Sequence, residues 1–273
     1  MSQLVNLPAP DSPAADPGLA ESFLGINFSP LTTDDAVDAI MRMISVGDRG
    51  WISTVNVAIL MQLREDPALR SYVEQSSLVL PDGQPIVWGS RWLGAPLPAR
   101  VTGIDIIEKL CAEAEQRGLS VFLLGGSATV IEKTAARLAN DKPRLRLAWR
   151  HGYFEEWEEA SVAEQIRQAG ADILIVGMGV PRQEKFIQQH WDDLGCSVAI
   201  GVGGSFDVIS GRLRRAPRWM QQAGLEWFYR LIQEPRRLLP RYVVTNTQFG
   251  AAYLAAIRKT HRVDEMPVGM PGR

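Results

Sequence analysis

The feature that most constrains this chain is a repeated unit: a short apolar run, a stop at small residues, then a helix-patterned stretch. "SVFLLGGS" at 120–127, "ILIVGMG" at 173–179 and "VAIGVGG" at 198–204 each pass directly from aliphatic residues into glycine. A strand with one wet face alternates polar and apolar residues, whereas a continuous apolar strand is covered on both faces. Such strands alternating with helical periodicity imply βαβ units around a parallel sheet. The expected fold class is therefore α/β: a doubly wound, mostly parallel, Rossmann-like sheet. Further strands are expected at 51–55, 77–80 and 145–150, with an edge strand over 23–28 and the last strand at 196–200. Helices are expected at 32–46, 57–63, 104–116, 128–139, 158–168 and 181–191, and after Pro67 and Gly83.

A chain of 273 residues suits one large α/β domain or two modest ones. Residues 1–20 are rich in Pro, Ala and Asp and lack the basic start and apolar centre of a signal peptide, so they read as a disordered leader. The Rossmann-like catalytic core is expected at 21–210. No stretch reaches the ~18 apolar residues of a membrane span. Cys111 and Cys196 sit in apolar settings and read as core thiols of a reducing compartment. His151, His190 and His261 have no metal-ligand spacing, and neither a metal nor a cofactor is expected. The net charge of −2 argues against a generic nucleic-acid binder.

That near-neutral balance conceals a local excess. Residues 211–241 carry eight arginines against only Glu226 and Glu234, interleaved with Trp219, Trp227, Phe228, Tyr229 and Tyr242. A basic, aromatic, helical appendage is expected over 211–260, with a loose tail at 261–273.

In open parallel sheets, ligands bind beyond the carboxyl ends of the strands. Those ends carry Thr54 and Asn56, Asp82, Gly125 and Gly126, Gly177 and Gly179, and Gly201 to Gly204. The glycines either make tight strand-to-helix turns or let a phosphate approach backbone N–H groups. Thr54 and Asn56 either cap a helix or donate to a sugar or phosphate. Arg100 either pairs with Asp105 on the surface or neutralises a diphosphate, and Gln183 is either solvated or a ligand contact. Pro81-Asp82-Gly83 has turn composition, yet Gln84-Pro85-Ile86 opens a helix rather than a hairpin partner. Asp82 is thus either a turn residue or a carboxylate at the mouth of a site, with Gly83 expected to let the backbone bend. "GMGVPR" and "GVGGSF" break the dinucleotide fingerprint, and no P-loop or hydrolase elbow is present.

Taken together and in order, these motifs resemble the WecG/TagA/CpsF family of glycosyltransferases. The residues carrying the resemblance are "STVN" at 53–56, "PDG" at 81–83, "RVTGIDII" at 100–107, "FLLGG" at 122–126 and "HGYF" at 151–154. They continue with "VGMGVPRQEKFI" at 176–187, "GVGGSFDVISGRLRRAP" at 201–217 and "GLEWFYRLIQEPRRLLPRY" at 224–242. The resemblance implies an inverting, metal-independent hexosyltransferase that moves a sugar from a UDP-sugar donor to a polyprenyl-diphosphate-linked sugar acceptor. The sugar would be N-acetylmannosamine, its uronic acid or glucose, and the product would serve exopolysaccharide or other cell-surface polymers. It also implies a cytoplasmic protein bound peripherally to the inner face of the plasma membrane through the C-terminal segment. A homo-oligomer is among the expected states.

By the same resemblance Asp82 is the catalytic base, with Thr54, Asn56 and Arg100 beside it and Gln183 in the site. Gly125, Gly126, Gly177, Gly179 and Gly203 would take the donor, and one or more of Arg212, Arg214 and Arg215 would reach the diphosphate. Asp105 and Tyr153 also fall in matching motifs. The rival readings are a non-catalytic nucleotide-binding regulatory protein and a nucleic-acid binder using the arginine-rich segment.

Overall fold

The first two strands stand apart from the main sheet. In this computed structural model, which describes residues 20–264 with side chains described to 258, β1 (Glu21–Phe23) and β2 (Ile26–Phe28) pair antiparallel. Leu24 and Gly25 between them have φ of 50° and 83°, the doubly left-handed turn that suits a tight hairpin. The edge strand expected over 23–28 is therefore corrected to a hairpin. It leans on the main sheet through Ser29, whose N–H donates to the Val79 carbonyl at 2.9 Å. The Ser29 hydroxyl in turn accepts from the Val79 N–H at 3.1 Å.

Six strands form the main sheet: β3 (Gly50–Val55), β4 (Leu78–Pro81), β5 (Ser120–Gly125), β6 (Arg146–Arg150), β7 (Ile173–Gly177) and β8 (Val198–Gly201). Their order is β4-β3-β8-β7-β5-β6, and every neighbouring pair is parallel. From β3 the chain steps outward to β4; it then crosses to β5 and steps outward the other way to β6. Strands β7 and β8 fill the gap, so the winding reverses near the middle of the sheet.

The apolar runs are covered on both faces, as their composition requires. Ile52, Leu80, Leu123, Ile175 and Ile200 pack with α1 (Thr33–Val46), α5 (Gly103–Arg117), α6 (Ala128–Asp141) and α9 (Ser205–Ile209). Their neighbours Val55, Val79, Leu124, Val176 and Ala199 point the other way. They pack with α2 (Val57–Gln62), α3 (Pro67–Glu74), α4 (Gln84–Trp92), α7 (Glu159–Gln168) and α8 (Arg182–Leu194). Each fully buried Val, Leu or Ile here contributes roughly 1.5–3 kcal/mol. Cys111 and Cys196 belong to these cores, and burial pushes both thiols up to about 12, so they are unreactive.

Local signals set the helix ends. Thr32 and Asp35 form a reciprocal capping box at α1, and Thr102 caps α5 by accepting from the Asp105 N–H. Gly125 shows how tightly the sheet's carboxyl end is built. A Cβ there would stand 2.3 Å from the Gly177 carbonyl oxygen, and its φ is 143°. Gly125→Ala is expected to destabilise the protein by more than about 3 kcal/mol, because only backbone can yield. A thermal midpoint within a degree of wild type would show that the two strand ends separate freely.

The C-terminal helices are α10 (Arg218–Gln222), α11 (Glu226–Gln233) and α12 (Pro235–Asp264). Helix α12 runs along α2, where Phe249 and Tyr253 stack at 6.0 Å and both face Phe23. Gln248 also donates to Glu65 at 3.0 Å. The helix continues four residues beyond the expected boundary at 260, since no Gly or Pro falls between 260 and Pro267. The leader at 1–19 and the tail at 265–273 lie outside the described residues.

Candidate active site

Asp82 stands at the carboxyl edge of the sheet, one residue beyond β4. Val55 and Pro81 are register partners, and the Asp82 N–H donates to the Val55 carbonyl at 2.9 Å. Asn56 and Asp82 therefore leave adjacent strand ends side by side. Gly83 has an extended φ of −169°, and an added Cβ would meet Asn56 at an ordinary 3.7 Å. The expected need for glycine at 83 is thus not met; the sheet register itself presents Asp82.

Among the described residues, the Asp82 carboxylate makes no hydrogen bond and no ion pair. The surrounding protein walls it off from most solvent, and burial raises its pKa to about 7. Arg100 and Arg230 pull it back down, while Glu226 and Asp105 push it up. An unpaired carboxylate between two guanidinium groups, titrating near neutrality, is what a general base requires.

The arginines beside it are held by a chain of charges that ties the core to the C-terminal helices. Arg100 pairs with Glu226 of α11 at 2.9 Å, and Glu226 also faces Arg215 at 3.6 Å. Arg215 pairs with Asp105 at 2.6 Å, and Asp105 accepts from the Thr102 hydroxyl at 2.7 Å. Arg230, one turn beyond Glu226, presses against Gly204, where an added Cβ would lie 2.9 Å from its Nη2. Its Nε is buried without a hydrogen-bond partner. Burial raises the Tyr242 phenol, and Asp82 lies close enough to raise it further against Arg230, Arg241 and Arg237.

The other expected residues fall at the same edge, but several are engaged with the protein itself. Thr54 donates to the Gly201 carbonyl at 2.8 Å, tying β3 to β8. Asn56 caps α2, accepting from the Ile59 N–H at 3.1 Å. Gln183 is buried, and its Oε1 accepts from the N–H groups of Gly203 at 3.1 Å and Gly179 at 3.3 Å. It clasps the turns after β7 and β8 from beneath. Gly126 donates to the Gly177 carbonyl at 3.1 Å, so these glycines form a continuous wall of backbone. Gly179 and Gly203 have φ of 81° and 53°, and no atom would block a Cβ at either.

Of the three arginines expected from the start of the C-terminal segment, only Arg215 joins the network at Asp82. Arg212 is on the surface, paired with Asp207 at 2.8 Å. The Arg214 backbone bonds to Gln233, and its side chain lines a cavity of about 410 Å³ with Ile104, Glu108 and Arg137. That cavity lies behind Arg215 and does not reach Asp82. Tyr153 is largely exposed.

Sequence reasoning missed Arg230, Glu226 and Glu184. The first two share one face of α11 at i, i+4, a signal visible in "EWFYR". Glu184 is buried among apolar positions of α8, where it accepts from the Gln183 Nε2 at 2.8 Å; burial raises it to about 7. Among the described residues no three His, Cys, Asp or Glu side chains are grouped to hold a metal ion.

The model of the glycosyl transferase WecG/TagA/CpsF family matches residues 21–263, which spans the sheet, the Asp82 edge and the C-terminal helices. The chain belongs to this family. A Bacillus subtilis protein named N-acetylglucosaminyldiphosphoundecaprenol N-acetyl-beta-D-mannosaminyltransferase is 37% identical over 200 residues, 71% of this chain and 77% of that one. A Staphylococcus aureus protein of the same name is 30% identical over 217 residues, covering 79% and 85% of the two chains. As a member of this glycosyltransferase family, the chain is a transferase of hexose-type sugars, in agreement with the motifs quoted from its sequence. No helix of the described residues is long and apolar enough to cross a membrane.

Proposed function

We propose that this enzyme transfers N-acetylmannosamine from UDP to the N-acetylglucosamine of a polyprenyl-diphosphate-linked acceptor, for assembly of a cell-surface polymer. The observation that carries the reading is Asp82: a carboxylate free of hydrogen-bond and ion-pair partners among the described residues, raised toward neutrality, at the carboxyl edge of the sheet beside the end of β3. The acceptor hydroxyl attacks the anomeric carbon with inversion as Asp82 takes its proton, and the bond to the UDP oxygen breaks on the opposite face. Charge then grows on the leaving diphosphate. Arg100 and Arg230 flank Asp82, and the buried, unpartnered Nε of Arg230 is a donor lacking an acceptor. Preorganised donors in a dry site stabilise such charge strongly. With these guanidinium groups to balance the charge, the reaction is proposed to need no metal. A non-catalytic nucleotide-binding protein would have no use for an unpaired carboxylate so raised.

The test is UDP release with a polyprenyl-diphosphate N-acetylglucosamine acceptor across a panel of UDP-sugars, with and without EDTA. Turnover is expected with UDP-N-acetylmannosamine and is expected to survive chelation. Turnover only with the uronic acid or glucose donor would replace the sugar, and no turnover with any donor would remove the transferase reading.

We further propose that α11 and α12 dock this enzyme on the inner face of the plasma membrane. Trp227, Phe228, Ile232, Leu239, Val243 and Val244 are exposed apolar residues on these helices, with Arg236 and Arg241 among them. Aromatic and aliphatic groups beside arginines suit an anionic bilayer surface. Ile232→Ser with Leu239→Ser is expected to lose most binding to anionic vesicles; sedimentation equal to wild type would reject docking by these helices.

A further inference from the structure

We propose that the bilayer contact extends beyond the C-terminal segment onto α4 of the core, so that the helix carrying Asp82 at its entrance rests on the lipid surface. The inference depends on the docking proposed above and adds a second, separate contact to it. Trp88 and Trp92 lie one turn apart on α4 and are 46% and 78% exposed, and Trp219 on α10 is 64% exposed. Trp88 and Trp92, at i and i+4, share one side of α4, and Trp219 stands on the short helix that leads to the turn abutting it. An added Cβ at Gly224, in the turn between α10 and α11, would lie 3.0 Å from the Trp88 ring and 2.5 Å from Gln84. The start of α4 therefore abuts the turn that leads into the proposed docking helices, and the patch is continuous with them.

The charge around this patch has one sign. Residues 83–104 contain no Asp or Glu, and neither do residues 210–225. Arg91 and Arg218 are exposed beside the tryptophans, and neither pairs with a carboxylate among the described residues. A water-facing helix in a chain with more acidic than basic residues has no need of two unshielded indoles and an unpaired arginine. Tryptophan with arginine is the pairing favoured at the headgroup level, where the ring meets the acyl boundary and the guanidinium meets phosphate. An anionic lipid surface is thus the occupant whose chemistry matches.

The placement also has a use. Helix α4 has nine residues, and at about 1.5 Å per residue it spans roughly 13 Å. Asp82 lies two residues before the helix, so with Trp92 at the headgroups it stands within roughly 20 Å of the surface from which a lipid-linked diphosphate emerges. An acceptor sugar one diphosphate away from its lipid could reach the carboxylate without leaving the bilayer.

The experiment uses the full chain and vesicles of phosphatidylcholine with phosphatidylglycerol, some carrying brominated acyl chains that quench buried indoles. Three variants are compared with wild type: Trp92→Gln with Trp219→Gln, Arg91→Ser with Arg218→Ser, and Ile232→Ser with Leu239→Ser. The arginine pair is expected to weaken partitioning ~30-fold at low salt. The tryptophan pair is expected to lose the share of the bromine quenching that Trp92 and Trp219 carry, leaving that of Trp88 and Trp227, and much of the partitioning. Both should turn over a short-chain, water-soluble acceptor as wild type does, which shows that they fold. If both pairs bind and quench as wild type while Ile232→Ser with Leu239→Ser releases the protein, the α4 contact is overturned and docking by the C-terminal helices stands. If wild type itself does not bind, both fall.

Discussion

Asp82→Asn is expected to cut turnover by about 10²–10⁴-fold while raising the thermal midpoint at pH 8. General-base catalysis is worth that factor, and asparagine keeps the shape but cannot take a proton at this pH. The stability gain follows from the raised pKa. The folded protein holds the Asp82 proton up to about pH 7, whereas the unfolded chain releases it near the ordinary carboxylate value of 3.8. Between those values the folded state binds more protons, so stability falls as pH rises, and it stays lowered above pH 7. That difference corresponds to at most ~4 kcal/mol. Relief of even a third of that would lift the midpoint by several degrees in a protein of this size. Asn and Asp should melt nearly alike below pH 3, where Asp82 is protonated in the folded and the unfolded chain. A variant that loses activity and also melts lower at pH 8 would make Asp82 a structural residue.

The same titration appears in the wild-type rate. Asp82 must be ionised to accept a proton, so kcat/KM is expected to rise with pH through about 7 and then level. Glu184 titrates in the same range because it is buried, and Glu184→Gln separates the two. If the rising limb persists in Glu184→Gln, it belongs to Asp82; if it vanishes, the clasp under the glycine turns governs the pH dependence.

The sheet was legible because its information is local. Apolar runs that end in glycine name their own boundaries, and Thr32 and Gly118 mark helix ends through caps that need no tertiary partner. Asp82, Thr54 and Asn56 could be placed at one edge because parallel strands put all their carboxyl ends on the same side. What their side chains touch there was not legible. Thr54 and Asn56 bond to the protein's own backbone, and Gln183 holds two turns together rather than lying solvated on α8. These outcomes depend on distances between segments far apart in sequence. The arginines show the same limit. Eight of them in one segment reveal a basic surface, but Arg230 reaches Asp82 while Arg212 pairs with Asp207, and only the path of α11 decides between them. The hairpin at 21–28 was missed for a smaller reason: Leu24-Gly25 lacks the usual Asn or Asp before glycine, and Leu24 takes a positive φ that its type seldom adopts.

Glu226→Ala is expected to detach the C-terminal helices from the active site. Glu226 is the acid that faces both Arg100 and Arg215, and its side chain is only 10% exposed. Removing it leaves two nearly buried guanidinium groups with one carboxylate, Asp105, to share. Breaking a buried pair on one side costs about 3–5 kcal/mol, much of it from the charge left behind. Glu226 holds the start of α11, whose far end is tied separately by Gln233 to the Arg214 backbone, whereas α12 seats Phe249 and Tyr253 against Phe23 of β1. The cost therefore falls on the docking of α11 rather than on the core. Arg230 would leave the site with it, and turnover should drop at least ~100-fold, with protease sensitivity appearing between 210 and 234. Unfolding of the core should be little changed. Arg215→Met in the same chain removes one of the stranded charges, so the double variant should recover part of the docking, with a coupling of roughly 1–3 kcal/mol. Strict additivity of the two substitutions would mean that the helix is held over Asp82 by packing alone.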